Sequence, residues 1–402
     1  MSGRPPTQSS LTSSPSFFSS FPSFPQATYS SADELNSSSS PFRVKILPTA
    51  IALDIRSLPP VMGRNPPWEI AIIGGGPAGL AAATTACRAA RHVVLFDSHQ
   101  YRNQQSQQIN NVIMHAGREP DRFRGLARSE ILNCFERYIT FIETTISNIT
   151  KVNLKDAQTG FELTDNAGNV YRGKKLVFAT GSIDTMLNLQ GYRDLWGHGI
   201  VHGLIYEGYE KGCKPIGVLG LDSINDVAPV LMAYHMAQNK VTIYTNGEDP
   251  ARYRFQDNLQ MVIARGCIVD TRKIRSLSRM HDNSVMIQFP TGATHYVSYI
   301  LHTPNTKNRA DKLFNQLQVE MSEPGGYALP KGPFGETNVR GCFVGGDTST
   351  SNKNFNSALS TGMMAGYGAA RQLAVDEGWE ALQSSHSNNP SHPPSHRYNR
   401  RH

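Results

Sequence analysis

Cysteine is scarce in this chain of 402 residues and is spaced for neither metal nor disulfide chemistry. The five cysteines, Cys87, Cys134, Cys213, Cys267 and Cys342, contain no C-x-x-C pair, and no Cys/His spacing suits a metal, so no metal is expected. An odd number of thiols without a secretory signal points to a reducing compartment, and the expected location is cytoplasmic. Long apolar runs are missing too. The best N-terminal stretch, Ile46 to Ile55, is broken by Pro48 and Asp54 and falls short of the roughly 18 residues that a bilayer span needs. Blocks of one charge are absent as well. The net charge of +7 is thinly spread apart from Arg397, Arg400 and Arg401, and no Lys/Arg block interleaves with aromatics. Neither membrane nor nucleic acid is an expected partner.

What remains is enough for two compact domains and tails, at roughly 150 residues per domain, with 39% hydrophobic residues to fill their cores. Residues 1–66 are rich in Ser and Pro and cannot bury enough apolar surface to offset their ordering entropy, so they read as disordered. A transit peptide is the alternative, on abundant Ser and few acids; against it, basic residues are sparse and no Arg-rich amphipathic helix is visible. A further alternative is a working protein that begins near Met62. Residues 383–402 carry His among Pro and Ser, with no scaffold for a metal, and read as a second disordered tail. Between the tails, short β-type runs alternate with helical ones, which predicts doubly wound α/β layers with nucleotide-domain starts near residues 69 and 215.

The first start is the most informative segment. Ile70 to Ile73 reads as a buried strand, followed by G-x-G-x-x-G at Gly74, Gly76 and Gly79, and by an Ala-rich helix that Pro77 and Ala78 open and Ala90 ends. The first glycine permits the tight turn, the second admits a pyrophosphate against backbone, and the third lets helix and strand pack closely. The helix N-terminus offers free N–H groups to phosphate. A second strand, Val93 to Phe96, ends in Asp97, placed to accept hydrogen bonds from a ribose. Two later segments follow: LVFATGS, Leu176 to Ser182, with Thr180 and Gly181 at its end; and TNVRGCFVGGD, Thr337 to Asp347, before a small-residue helix from Ser357 to Ala370.

These motifs, in this order, resemble the two-domain flavin disulfide reductases of the thioredoxin reductase type over about residues 68–372. The resemblance implies an α/β fold of two Rossmann-like doubly wound domains: an FAD-binding domain in two parts, residues 67–190 and 304–376, and an inserted NAD(P)-type domain, residues 191–303. It implies FAD, with Gly346 and Asp347 reaching the ribityl chain and phosphates, and Ala358 and Leu359 opening a helix that faces the ring. It also implies a homodimer. Tyr101 to Asn103 and His115 are similar to the fungal branch that oxidises dithiols in toxic secondary metabolites. Arg102 and His115 are therefore candidates for flavin phosphate or substrate, or else a loop arginine and a satisfied histidine.

The second start, Ile216 to Leu219 and then Gly220 to Asn225, departs from that pattern. Asp222 and Asn225 stand where a nicotinamide-binding relative would place small residues. Two like charges ~4 Å apart at an effective dielectric of ~20 repel by about 4 kcal/mol, roughly three decades in affinity. An outward turn of Asp222 or a basic partner would soften this. Arg252 and Arg254, beyond a strand from Val241 to Tyr244, suit a 2′-phosphate or plain solvent. NADPH is expected to bind weakly.

The relay dithiol is missing altogether. In WGHGIVHGLIYEGYEKG, Gly203 and Tyr206 stand where the resemblance places two cysteines, Glu207 where it places an acid, and Gly208 where it places a glycine. Cys213 lies seven residues beyond Tyr206 without an evident partner. Disulfide reduction of the usual kind is excluded. A remodelled loop with His202, Tyr206 and Glu207 as candidate catalytic residues remains, and a half-buried Glu207 beside an apolar ring has the raised pKa that suits acid–base work. Three functions follow: an FAD enzyme oxidising a small organic substrate with dioxygen; an NADPH-driven flavin reductase or monooxygenase; or a non-redox enzyme or scaffold in which that loop has lost its chemistry.

Overall fold

The computed structural model describes residues 67–154, 159–211, 214–221, 226–238, 240–249, 256–323 and 326–388. The expectations for residues 1–66, for Asp222 and Asn225, for Arg252 and Arg254, and for Cys213 lie outside the described residues.

Apolar strands stack into the first sheet because each offers side chains to both of its faces. β1 (Trp68–Ile73), β2 (Val93–Asp97) and β3 (Ile139–Glu143) run parallel, with Ile70, Ile72, Val93 and Leu95 fully buried. The hairpin pair β4 (Ile146–Asn153) and β5 (Thr159–Asp165) leads into β6 (Val170–Phe178), which pairs with β1 and gives the order β3-β2-β1-β6-β5-β4. A last strand, Cys342–Val344, adds in parallel to β6 from 164 residues downstream of its end. The sheet is thus built from both ends of the described chain.

Helix α1 (Pro77–Arg88) follows the glycine turn as expected, and stops two residues earlier than Ala90, which lies at φ +55°. The C-terminal helix runs from Phe355 to Asn388, longer than the sequence suggests at both ends. Its continuation past residue 383 corrects the expected start of the tail. No proline or glycine interrupts Trp379 to Asn388, and the hydroxyls of Ser384 and Ser385 fold back onto helix carbonyls. The two helices touch without intervening side chains: a Cβ at Gly362 would fall 2.2 Å from the Ala78 carbonyl oxygen, and one at Gly366 2.4 Å from that of Ala82.

A second, five-stranded parallel sheet lies between residues 200 and 301. Its centre is Ile216–Leu219, flanked by Val241–Tyr244 on one side and Tyr299–Leu301 on the other. An antiparallel trio, Ser276–Arg279, Val285–Gln288 and Thr294–Val297, packs beside it. The chain passes between the two regions twice, at Ser182–Asp184 and Thr306–Asn308, and these crossings pair antiparallel with each other. No helix among the described residues is long and apolar enough to cross a membrane.

Candidate active site

A cleft among the described residues opens at the C-terminal ends of β1 and β6, where the sheet order reverses and ligands of doubly wound sheets bind. Its floor is the glycine turn. Gly74 has φ +114°, and a Cβ there would strike the Ala179 carbonyl oxygen at 2.3 Å; a Cβ at Gly79 would strike the Gly74 carbonyl at 1.8 Å. Gly76 is different: a Cβ there meets nothing nearer than Tyr101 Cδ1 at 4.0 Å. The open space over Gly76 and the uncapped N-terminus of α1 together fit a pyrophosphate.

Asp97 ends β2 with its carboxylate 2% exposed. It accepts hydrogen bonds from the His99 amide (3.0 Å), the Tyr101 hydroxyl (2.6 Å) and the Arg128 guanidinium (3.1 Å). His99 and Glu143 lie beside it and contact each other, and Arg128 binds Glu143 too. Burial, and then the neighbouring carboxylate, hold the Tyr101 phenol protonated well above its ordinary range. Arg124 covers the Tyr101 ring at 3.8 Å. The ribose-type acid is therefore already fixed by three donors.

At the opposite wall, Asp347 follows Gly346 (φ +74°), whose amide donates to the Thr361 hydroxyl at 2.7 Å. Thr180 and Gly181 meet this wall through Thr348: the Gly181 amide donates to the Thr348 hydroxyl at 2.8 Å. Arg102 lines the cleft with part of its guanidinium held by carboxylates. Its Nε and one terminal nitrogen bind Asp184 (2.7–3.1 Å) and the other binds Asp347 at 3.0 Å. The guanidinium ties a loop of the first region, a crossing strand and the cradle acid into one buried group. Lys353, its pKa lowered by burial, sits near the same charges. Arg309 also lines the cleft, with its Nε buried and without a partner.

The third wall comes from the inserted region, and it brings the three loop candidates into the same cleft. His202 and Tyr206 stack with ring centroids 6.0 Å apart. Tyr206 also feels the charges of Arg102 and Asp347. Burial, and then Arg102, push His202 down to about 4, so its imidazole is neutral at pH 7. Glu207 goes the other way: burial raises its carboxyl above the ordinary range, against a hydrogen bond from Ser106 and the charge of Lys211. One of its oxygens, Oε2, is buried without a partner. Gly203 lies directly under Tyr206, and a Cβ there would fall 2.2 Å from Cδ2 of that ring. The two positions expected to hold cysteines are thus filled by a glycine and the ring that covers it.

Of the residues singled out in the sequence, Gly74, Gly76, Pro77, Ala78, Asp97, Arg102, Thr180, Gly181, His202, Tyr206, Glu207, Gly346, Asp347 and Ala358 all line this cleft, while Gly79 serves the packing beneath it. His115 does not line it: its ring packs edge-on against Phe123 at 5.2 Å. Sequence reasoning missed Ser106, Asp184, Trp196, Arg309 and Lys353. Asp184 had a faint signal, an acid two residues beyond an apolar strand and its Thr-Gly turn, and Trp196 opens the WGHG segment already singled out; the others had none. The second start keeps its strand and Gly220 at φ +76°.

Comparison with known proteins agrees with this geometry. A family model described as pyridine nucleotide-disulphide oxidoreductase matches residues 68–208. Thioredoxin reductase aclD of Aspergillus oryzae is 33% identical over 316 residues, covering 78% of this chain and 98% of the relative. Thioredoxin reductase tcpT of Claviceps purpurea is 34% identical over 312 residues, covering 76% and 94%. Among solved structures, HlmI superposes with a TM-score of 0.73 at 22% identity, covering 81% of this chain and 99% of that one, a likeness of fold. An oxidoreductase from Agrobacterium tumefaciens gives 0.68 at 25% identity, covering 77% and 99%. Enzymes of this family bind FAD and use NADPH as co-substrate, and the open glycine turn, the buried acids and the Arg102 clamp suit the flavin nucleotide. By sequence, fold and cleft, the chain belongs to the thioredoxin reductase-like flavoprotein oxidoreductases.

Proposed function

We propose that this oxidoreductase acts on a small organic substrate directly in its flavin cleft, without a cysteine relay, in fungal secondary metabolism. One observation carries the reading: Tyr206 occupies the space over Gly203, beside a buried carboxyl with one unpartnered oxygen. Bound FAD supplies an acceptor for two electrons. Gly76, Asp97, Asp347 and Ala358 hold it in this reading, with Arg102 as a positioning residue that keeps Asp347 turned to the cleft. Tyr206 and His202 form an aromatic wall for the substrate, and Glu207 takes a substrate proton at Oε2 while Ser106 orients the carboxyl. A neutral His202 accepts a hydrogen bond without adding charge. Dioxygen is the inferred final oxidant, reduced by two electrons and two protons to hydrogen peroxide.

The test is anaerobic mixing of FAD-loaded protein with small aromatic thiols, alcohols and amines. Loss of visible flavin absorbance, restored by air and slowed by Glu207→Gln, is the expected result. Bleaching that depends on a protein disulfide partner would refute it. The Gly220 turn favours a second reading, in which NADPH is the reductant; rapid anaerobic bleaching by NADPH alone separates the two.

Two finer expectations belong with this proposal. A homodimer is supported by an apolar stripe on the C-terminal helix, where Met363, Tyr367, Val375, Trp379 and Leu382 are all exposed along roughly 30 Å; light scattering at two concentrations would check it. A cytoplasmic location is supported by the free thiols of Cys87, Cys134, Cys267 and Cys342, and cell fractionation would check that.

A further inference from the structure

A line of rings leaves the cleft and ends in the other nucleotide region. Trp196 and His202 both line the cleft, with ring centroids 6.2 Å apart. Trp196 stacks on Tyr192 at 5.9 Å with an interplanar angle of 24°. Tyr192 meets His302 edge-on, and its Oη lies 2.6 Å from Nδ1 of that imidazole. Tyr192 is fully buried and His302 is 5% exposed. His302 in turn lines a small cavity of about 20 Å³ with Gly220, Asp226 and Thr303, room for one water. Packing alone would be served by phenylalanine and leucine at these two core positions. Instead a phenol and an imidazole have been desolvated to meet each other.

We propose that Trp196, Tyr192 and His302 form a relay that carries single oxidising equivalents out of the flavin cleft. The oxidant is a dioxygen-derived oxygen radical formed in the cleft and itself reduced by one electron; a light flash supplies an equivalent one-electron oxidant in the experiment. The oxidant removes one electron from the Trp196 indole, leaving an indole radical cation. Tyr192 gives one electron to that indole, and its phenolic proton passes to Nδ1 of His302. The products are neutral Trp196, a neutral phenoxyl at Tyr192 and an imidazolium at His302. A phenol that has lost an electron is a strong acid, so a neutral imidazole is base enough. Asp184 acts on both Tyr192 and His302, and its negative charge favours the imidazolium. A small thiolate gives one electron back to the Tyr192 phenoxyl and leaves as a thiyl radical, while the proton returns from His302 to the phenolate oxygen. This relay protects Tyr206 and the cleft from damage, and it goes beyond the proposed substrate chemistry, since it needs bound FAD but no particular substrate.

Transient absorption after a light flash on the FAD-loaded full chain tests it. The expected sequence is a tryptophanyl signal that decays into a tyrosyl signal, the second step slowed in D2O. Tyr192→Phe should abolish the tyrosyl signal and prolong the tryptophanyl one, and Trp196→Phe should abolish both. A tyrosyl signal that survives Tyr192→Phe, or one never formed in the wild type, overturns the relay. If the variants fail to fold, the wild type alone decides: tyrosyl formation at equal rates in H2O and D2O overturns the transfer to His302. Bleaching by substrate is a separate readout, so failure here leaves the proposed oxidation standing, and the reverse holds as well.

Discussion

Replacing Gly203 by alanine adds one methyl group, and the structure says where it must go. The new Cβ would lie 2.2 Å from Cδ2 and 2.6 Å from Cε2 of Tyr206, where ordinary contact begins at about 3.4 Å. The ring has to withdraw by at least about 1 Å, which disturbs its stack on His202. Overpacking of this kind costs typically 1–3 kcal/mol. In a Tyr206→Ala background the methyl enters vacated space, so the second cost should vanish. A double-mutant cycle on Gly203→Ala and Tyr206→Ala should therefore give a coupling of about 1–3 kcal/mol, within the range found for residues in contact. Urea unfolding of the FAD-loaded protein would measure it, with the four proteins compared at equal cofactor occupancy. If Gly203→Ala is neutral, or costs the same with and without Tyr206, the ring does not sit on Gly203 and the account of the altered relay site fails. The same geometry predicts that a lone Gly203→Cys is tolerated worse than the pair Gly203→Cys/Tyr206→Cys.

Further outcomes follow from other parts of the cleft. Gly76→Val should leave folding intact but yield colourless protein, whereas Gly79→Ala should impair folding itself; circular dichroism and flavin content distinguish them. Arg102→Met strands the buried carboxylates of Asp184 and Asp347, and breaking such a group costs about 3–5 kcal/mol; denaturant melts and flavin retention would register the loss. Burial raises Glu207, with Ser106, Lys211 and Glu210 the groups that face it. Its contribution to stability is therefore present below the unfolded carboxylate pKa and is lost as pH rises through the folded one. Glu207→Gln should remove that part of the decline, and melts between pH 4 and 8 would detect it. His202 and His302, both held to about 4, have the opposite sign. Their contributions are present above the unfolded value of 6.5 and are lost as pH falls toward 4, so a His302→Gln melt should flatten there.

The glycine turn, its helix and Asp97 were legible because backbone geometry dictates residue type locally: Gly74 needs its positive φ, and Gly79 must lack a side chain. The empty dithiol positions were legible too, since an absent thiol is plain in any sequence. What stayed hidden depends on distance along the chain. Arg102 meets Asp184 across 82 residues and Asp347 across 245, and no local pattern announces that three charges will share one burial site. Taken as a loop residue, the arginine suggested a ligand contact; in the fold it lines the cleft and also binds the carboxylates of Asp184 and Asp347. His115 carried a resemblance but is turned onto Phe123. The end of the last helix was misplaced because a Ser- and His-rich composition reads as a tail, although nothing in it stops a helix before Pro390.

The side-chain-free contact of Gly362 and Gly366 with Ala78 and Ala82 joins segments nearly 290 residues apart in sequence. One opens from the glycine turn, and the other follows the strand end that leads to Asp347. Their spacing is set by main chain on main chain, a gauge with almost no tolerance. A methyl group added at either glycine would therefore move a whole helix, and with it one wall of the cleft against the other.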